Sequence, residues 1–213
     1  MHIRNLIERQ HETEVRDAKS SSYLKNRYMP NTKGMPSGNF SAVKDDSKDP
    51  HMVKKFSKRG RSDEDEGFKA FVMFLYNNGF DGNIHMPRVY DIKTITGRDG
   101  ITIDSYRMEK LVSLQSVSRE ELVAYSEMMS DKIDVADDVD TEFIPEEIAY
   151  FLKAVIAGRT QSKMESLNEA CNIVARAERA TGATLDLTTK NIMFRRTPQG
   201  LQLVFSDPLY INI

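Results

Sequence analysis

Two polar side chains separated by four residues, Asp186 and Asn191, stand in the stretch LDLTTKNIMF, residues 185–194. Further on, FSDP supplies a third, Asp207. Two carboxylates and a carboxamide brought to one end of a hairpin would offer three hard oxygen ligands, a set suited to Mg2+. The D-x-x-x-x-N spacing alone carries little, because Asp and Asn are common in turns. Its surroundings carry more. The turn TPQG between NIMFRR and LQLVFSD predicts a hairpin, which returns its last residue beside its first. Asp207 is therefore expected beside Asn191, with Asp186 close by.

Four upstream features bear on what such a site would act upon. PSGNFSAV, residues 36–43, offers Gly38, where a backbone without Cβ can approach a phosphate. Asn39, Phe40 and Ser41 would form the tip of that loop, and Val43 lies in the strand beyond it. A plain hairpin turn accounts for the same residues. In MVKK, Lys54 directly follows the apolar pair Met52–Val53 and is preferred over Lys55 as a lysine facing a phosphate loop. A solvated basic edge is the competing reading, given Lys58, Arg59 and Arg61 nearby. Glu66, with Glu64 as the other candidate, opens the next helix and could pair with Lys54. Acidic residues there also suit the helix dipole. Finally, SYRMEKL ends a strand at Met108 and Glu109, where backbone groups could meet a base edge.

The elements that must position these residues follow from the patterning. Residues 3–19 suit a polar helix. MPSGNFSAV and HMVKKFS read as strands joined by the turn-rich KDDSKDP. DEDEGFKAFVMFLYN reads as a helix from Asp63, then MPRVYDIKTI and ITIDSYRMEKL as a hairpin. Beyond Ser113 the texture becomes helical: SREELVAYSEMMSDKI with Ser118 at its N-cap, IPEEIAYFLKAVIAG between Pro145 and Gly158, and SKMESLNEACNIVARAERATG closed by Gly182. The acidic stretch DVADDVDTEF links the first two, and the late hairpin follows. The expected class is α+β with two lobes: a helical extension at 1–26, a strand-rich lobe at 27–112 and a reduced helical lobe at 113–213.

Bulk properties exclude other classes. A net charge of −2 gives no global field toward nucleic acid or membrane. No run reaches the ~18 apolar residues of a membrane span, and the charged start MHIRNLIERQHETEVRD does not suit a signal peptide. The single cysteine, Cys171, permits no internal disulfide and sits in the apolar helical context ACNIVARA. With four scattered histidines it offers no zinc spacing.

Taken in order, glycine loop, strand lysine, helix glutamate, hinge, D-x-x-x-x-N loop and late aspartate resemble the protein-kinase fold. GNFSAV, MVKK, MPRVYDI and DLTTKNIMF with FSDP are most similar to the early serine/threonine kinases of short-tailed lytic phages, over residues 27–213. That resemblance implies ATP with Mg2+ as cofactors. Gly38 to Ser41 would cover the phosphates, and Lys54, ion-paired to Glu66, would contact the α and β phosphates. Asp186 would act as the base, Asn191 and Asp207 would hold the metal, and Lys190 would steady the transferred phosphate. It implies host proteins, and the chain itself, as acceptors in the cytoplasm of an infected bacterium, with no nucleic-acid or membrane partner. The sequence departs from the kinase pattern at Pro36 in place of the first loop glycine and at Thr184–Leu185 in place of His-Arg. Only six residues follow Asp207, too few for an activation segment. These departures keep a second expectation open, a catalytically weak or inactive kinase-like protein that binds and inhibits a host factor.

Overall fold

A computed structural model describes residues 41–59, 67–96, 102–131, 133 and 144–211. The N-terminal helix expected at 3–19, Gly38, Asn39, Phe40, Glu64, Glu66 and the acidic linker around 134–143 lie outside the described residues. The chain is α+β, and it divides into two compact units. The first takes the described residues up to Arg59 together with those of Arg88–Lys110; the second takes Gly67–Pro87 and those from Leu111 onward. Residues 67–87, expected within a contiguous 27–112 lobe, thus fold with the second unit.

In the first unit, β1 (Ser41–Asp45), β2 (Met52–Arg59), β3 (Val89–Thr96) and β4 (Thr102–Glu109) form an antiparallel sheet in the order β1-β2-β4-β3. The turn between β1 and β2 is held by its aspartates. Asp46 accepts the Lys48 N–H at 3.1 Å, and Asp49 accepts the His51 N–H at 2.9 Å, the side-chain turns that make Asp frequent in such positions. Asp46 is buried, and it also accepts Arg107 Nε at 2.7 Å and lies 3.5 Å from Lys54 Nζ. The Arg107 hydrogen bond, then the Lys48 N–H and the Lys54 charge, hold its pKa down at about 2 against the opposing effect of burial.

This sets an acid limit on the first unit. A carboxyl depressed in the folded state stabilises it above the ordinary 3.8, and that contribution is lost as pH falls from there toward about 2. Urea unfolding is expected to show a midpoint that drops across this window in the wild type. In Asp46→Asn the midpoint is expected to be lower at neutral pH and the drop smaller.

The second unit has the larger core. Its helices are α1 (Gly67–Asn78), α2 (Arg119–Met129), α3 (Ile144–Ile156) and α4 (Glu165–Thr181). Phe71 and Leu75 of α1, Leu122 and Met129 of α2, Ile148 and Leu152 of α3 and Leu167 and Val174 of α4 pack into one apolar cluster with Phe194 and Phe205. Cys171 is buried in that cluster, and burial pushes its thiol up to about 12. A neutral core residue, not a nucleophile, is what such a thiol makes.

Local signals end these helices as expected. Ser118 and Glu121 form a reciprocal capping box at the start of α2, and Gly182 closes α4 in the left-handed conformation at φ 69°. Glu121 also binds Arg196 at 2.7 Å, tying α2 to the strand that carries Arg196.

Strands in the second unit are short. β5 (Val112–Ser113), β7 (Ile192–Thr197) and β8 (Gly200–Phe205) form a sheet in the order β5-β7-β8, and β6 (Thr184–Leu185) pairs with β9 (Leu209–Tyr210). The hairpin β7–β8 is clamped by the segment between α1 and β3. Buried Arg195 donates to the Ile84 and Met86 carbonyls, the latter at 3.0 Å. Phe205 N–H donates to the His85 carbonyl at 2.9 Å. The buried His85 ring places Nδ1 2.8 Å from the Leu203 carbonyl and Nε2 3.1 Å from Ser166 Oγ. Burial lowers the pKa of this imidazole. The neutral tautomer with hydrogen on Nδ1 satisfies both contacts.

Gly67 at the start of α1 makes the tightest approach among the described glycines. A Cβ there would stand 2.2 Å from the Leu209 carbonyl oxygen, a backbone atom of β9. Gly67→Ala is expected to cost roughly 1–3 kcal/mol, as overpacking does in a well-filled core. Calorimetry should show a melting point several degrees lower.

Candidate functional site

The loop 186–191 is sealed at both ends by strand pairing. On one side β6 meets β9, with Leu185 opposite Leu209. On the other, β7 meets β8, with Ile192 opposite Phe205. Residues 206–208 are thereby laid along the loop. Asp186 N–H donates to the Pro208 carbonyl at 2.9 Å, and Ser206 N–H donates to the Asn191 carbonyl at 2.9 Å. Asp207 N–H points to the same Asn191 carbonyl at 3.4 Å. Asp207 is bracketed by backbone bonds from both ends of the D-x-x-x-x-N loop, so the three polar residues are brought together as the hairpin argument requires.

Inside the loop, Asn191 does the closing. Its N–H donates to the Thr188 carbonyl at 3.0 Å, and its Nδ2 donates to the Asp186 carbonyl at 2.7 Å and to Asp186 Oδ2 at 2.9 Å. With Nδ2 so committed as donor, Oδ1 is the acceptor atom of the Asn191 side chain. Asp186, Asn191 and Asp207 are all half-buried, accessible to a ligand yet fixed by their surroundings, and Lys190 is exposed at the loop surface. Before the loop, Leu185 N–H donates to Glu178 Oε1 at 3.1 Å. This bond ties α4 to β6 just ahead of Asp186.

The donor chemistry fits one ion class. Among the described residues, no group of three or more His, Cys, Asp or Glu side chains is placed to hold a metal. One carboxylate and one carboxamide oxygen make an incomplete cage by themselves. That composition suits Mg2+, which keeps several waters and is bound through one or two carboxylates plus substrate phosphates.

No protein-family model and no curated protein matches the chain.

The first unit distributes the remaining candidates over both faces of its sheet. Directly opposed residues on antiparallel strands share a face. Val43 lies opposite Lys55, Lys55 opposite Tyr106, and Val53 opposite Met108. Lys44, Lys54 and Arg107 are in register on the other face. Lys54, the lysine favoured from sequence, is thus on the face away from Val43 and Met108 and is ion-paired with Asp46. Lys55 is on their face and buried.

At the strand end, Met108 and Glu109 are buried. Glu109 Oε1 accepts the Arg88 N–H at 2.9 Å, and Glu109 N–H donates back to the Arg88 carbonyl at 3.1 Å. Lys110 N–H donates to the His51 carbonyl at 2.9 Å. Both N–H groups are thus hydrogen-bonded within the unit. Ser41 is in β1, opposite Ser57.

Sequence reading did not single out Glu178, Ser206 or Pro208. These three act through one side-chain oxygen and two backbone groups, which leave no residue-type signal beyond the short S-D-P run. Among the described residues no helix is long and apolar enough to cross a membrane.

Proposed function

We propose that this chain is a two-lobed, phage-type serine/threonine protein kinase that transfers the γ-phosphate of ATP to proteins of an infected bacterial host, itself among the acceptors, in that host's cytoplasm. The observation that carries the reading is the enclosure of Asp186, Asn191 and Asp207 by two strand pairings, with Asn191 bonded to Asp186 and to the backbone of 206–207. Asn191 Oδ1 and the Asp207 carboxylate would hold Mg2+, which would supply neutralising positive charge to the phosphates. Asp186 accepts the proton of a serine or threonine hydroxyl. The hydroxyl oxygen forms the new P–O bond, the bond to the β–γ bridging oxygen breaks, and ADP leaves. Lys190, exposed on the same loop, steadies the transferred group. The strand lysine expected to neutralise the α and β phosphates is Lys54, which is ion-paired with Asp46.

A second reading has its own support. The N–H groups of Glu109 and Lys110 donate to the Arg88 and His51 carbonyls, which suits a kinase-like protein that binds and inhibits a host factor without turnover. One experiment separates the two. The purified chain is incubated with γ-labelled ATP, Mg2+ and bacterial lysate, and labelled residues are identified. Label on serine and threonine is expected. Protein without label, in the absence of measurable ATP binding, favours the inhibitor.

A further inference from the structure

Helix α3 buries one side in the core of the second unit and leaves the other to solvent. Ile148, Phe151, Leu152 and Val155 are buried, while Glu146, Glu147, Tyr150 and Lys153 are exposed. Spacings of three and four set the exposed residues on one stripe of the helix. Among the described residues, no ion pair or side-chain hydrogen bond engages any of these four. Tyr150 is 71% exposed, more than any other large apolar side chain described.

Two glutamates in the first turn and a lysine in the last suit the helix dipole, and a lone exposed ring is ordinary on a protein surface. The order of the three features goes further. An aromatic ring stands midway between acidic and basic residues, so the stripe is complementary to itself when reversed.

We propose that this stripe is a two-fold interface with a second copy of the chain. Two α3 helices related by a dyad at Tyr150 run antiparallel, the self-matching arrangement of a closed dimer. Residues equidistant from the dyad meet, so Glu146 and Glu147 of one copy stand opposite Lys153 of the other, and the same pairing recurs beyond the dyad. Helical side chains lean toward the N-terminus of their helix. Each Tyr150 ring therefore leans over the C-terminal half of the other helix, where Ala154 leaves room for it. A parallel pair would set Glu against Glu and Lys against Lys, so the charges select the antiparallel one. One helix face is a small interface, and the dimer belongs to the weak class, with Kd between about 10 µM and 1 mM. It owes nothing to the nucleotide chemistry above, and its test needs no activity.

Sedimentation equilibrium of the full chain from about 10 µM to 1 mM reads the association directly. The wild type is expected to pass from monomer to dimer over that range. Raising salt from about 0.1 M to about 1 M should weaken the dimer severalfold, because exposed charges are screened. Tyr150→Ala and Lys153→Glu should each weaken it by about tenfold or more, since each change acts twice in a symmetric interface. Both sites are exposed, so the melting point should move by no more than about a few degrees.

The decisive sample is a mixture. Lys153→Glu alone opposes acid to acid, and the double variant Glu146→Lys, Glu147→Lys alone opposes lysine to lysine. Mixed in equal amounts, the two variants should dimerise about as well as the wild type, because every facing pair is again of opposite sign. A chain that stays monomeric throughout the range would overturn the proposal. So would a dimer that neither Tyr150→Ala nor Lys153→Glu weakens, or a mixture that associates no better than its components.

Discussion

Asp207→Ala is expected to reduce phosphoryl transfer by about 10³-fold. A catalytic metal supplies several kcal/mol of transition-state stabilisation, and each ~1.4 kcal/mol is a factor of ten. The backbone bond from residue 207 to the Asn191 carbonyl does not depend on its side chain, so the loop should keep its shape. What goes is the only carboxylate proposed to ligate the ion. Initial rates across a Mg2+ titration check this. The variant should need far more Mg2+ to reach even its reduced rate. A rate within tenfold of the wild type at ordinary Mg2+ would remove Asp207 from the metal site.

Asp186→Asn is expected to cost about 10²- to 10⁴-fold in turnover, the usual contribution of a positioned general base. The substitution is chosen for what it keeps. An asparagine oxygen still accepts from Asn191 Nδ2, as Asp186 Oδ2 does at 2.9 Å, so the loop remains closed. Because the proposal assigns Asp186 to the acceptor hydroxyl and not to the nucleotide, ATP affinity should change by less than about twofold, a small fraction of the ~1.4 kcal/mol per decade scale. A loss of turnover accompanied by a similar loss of ATP affinity would make Asp186 a nucleotide-binding residue and not the base.

The parts of this fold legible in sequence were those specified locally. Ser118 and Glu121 announce the start of α2 because a capping box needs only residues three apart. Gly182 ends α4 because it alone takes φ 69° there without strain. TPQG between alternating runs marks the β7–β8 hairpin, and from that hairpin the meeting of Asn191 and Asp207 follows by geometry. The two-residue strands β6 and β9 carry no alternation to read, yet their pairing is what brings Asp186 to the same place. The allegiance of α1 to the second unit was hidden for a similar reason. Its apolar residues fit any core, and its contact with β9 through Gly67 joins positions far apart in the chain.

The lysine shows the limit most sharply. Met-Val-Lys-Lys does not reveal which lysine faces Val43, because facing is a matter of register between β1, β2 and β4. The Asp46–Arg107 bond that occupies the Lys54 face spans distant positions and has no motif.

The central claim is that the loop closed by Asn191 holds the metal of a bound nucleotide. Titrating isotope-labelled protein with Mn2+·ATP in place of Mg2+·ATP tests it without knowledge of the acceptor, because the paramagnetic ion broadens amide resonances near it. The backbone amides of Asn191, Ser206 and Asp207 are predicted to broaden first, while Thr197 and Gln199 at the hairpin tip stay sharp. Sharp resonances at all three positions with Mn2+·ATP bound, or broadening centred elsewhere in the chain, would contradict the account.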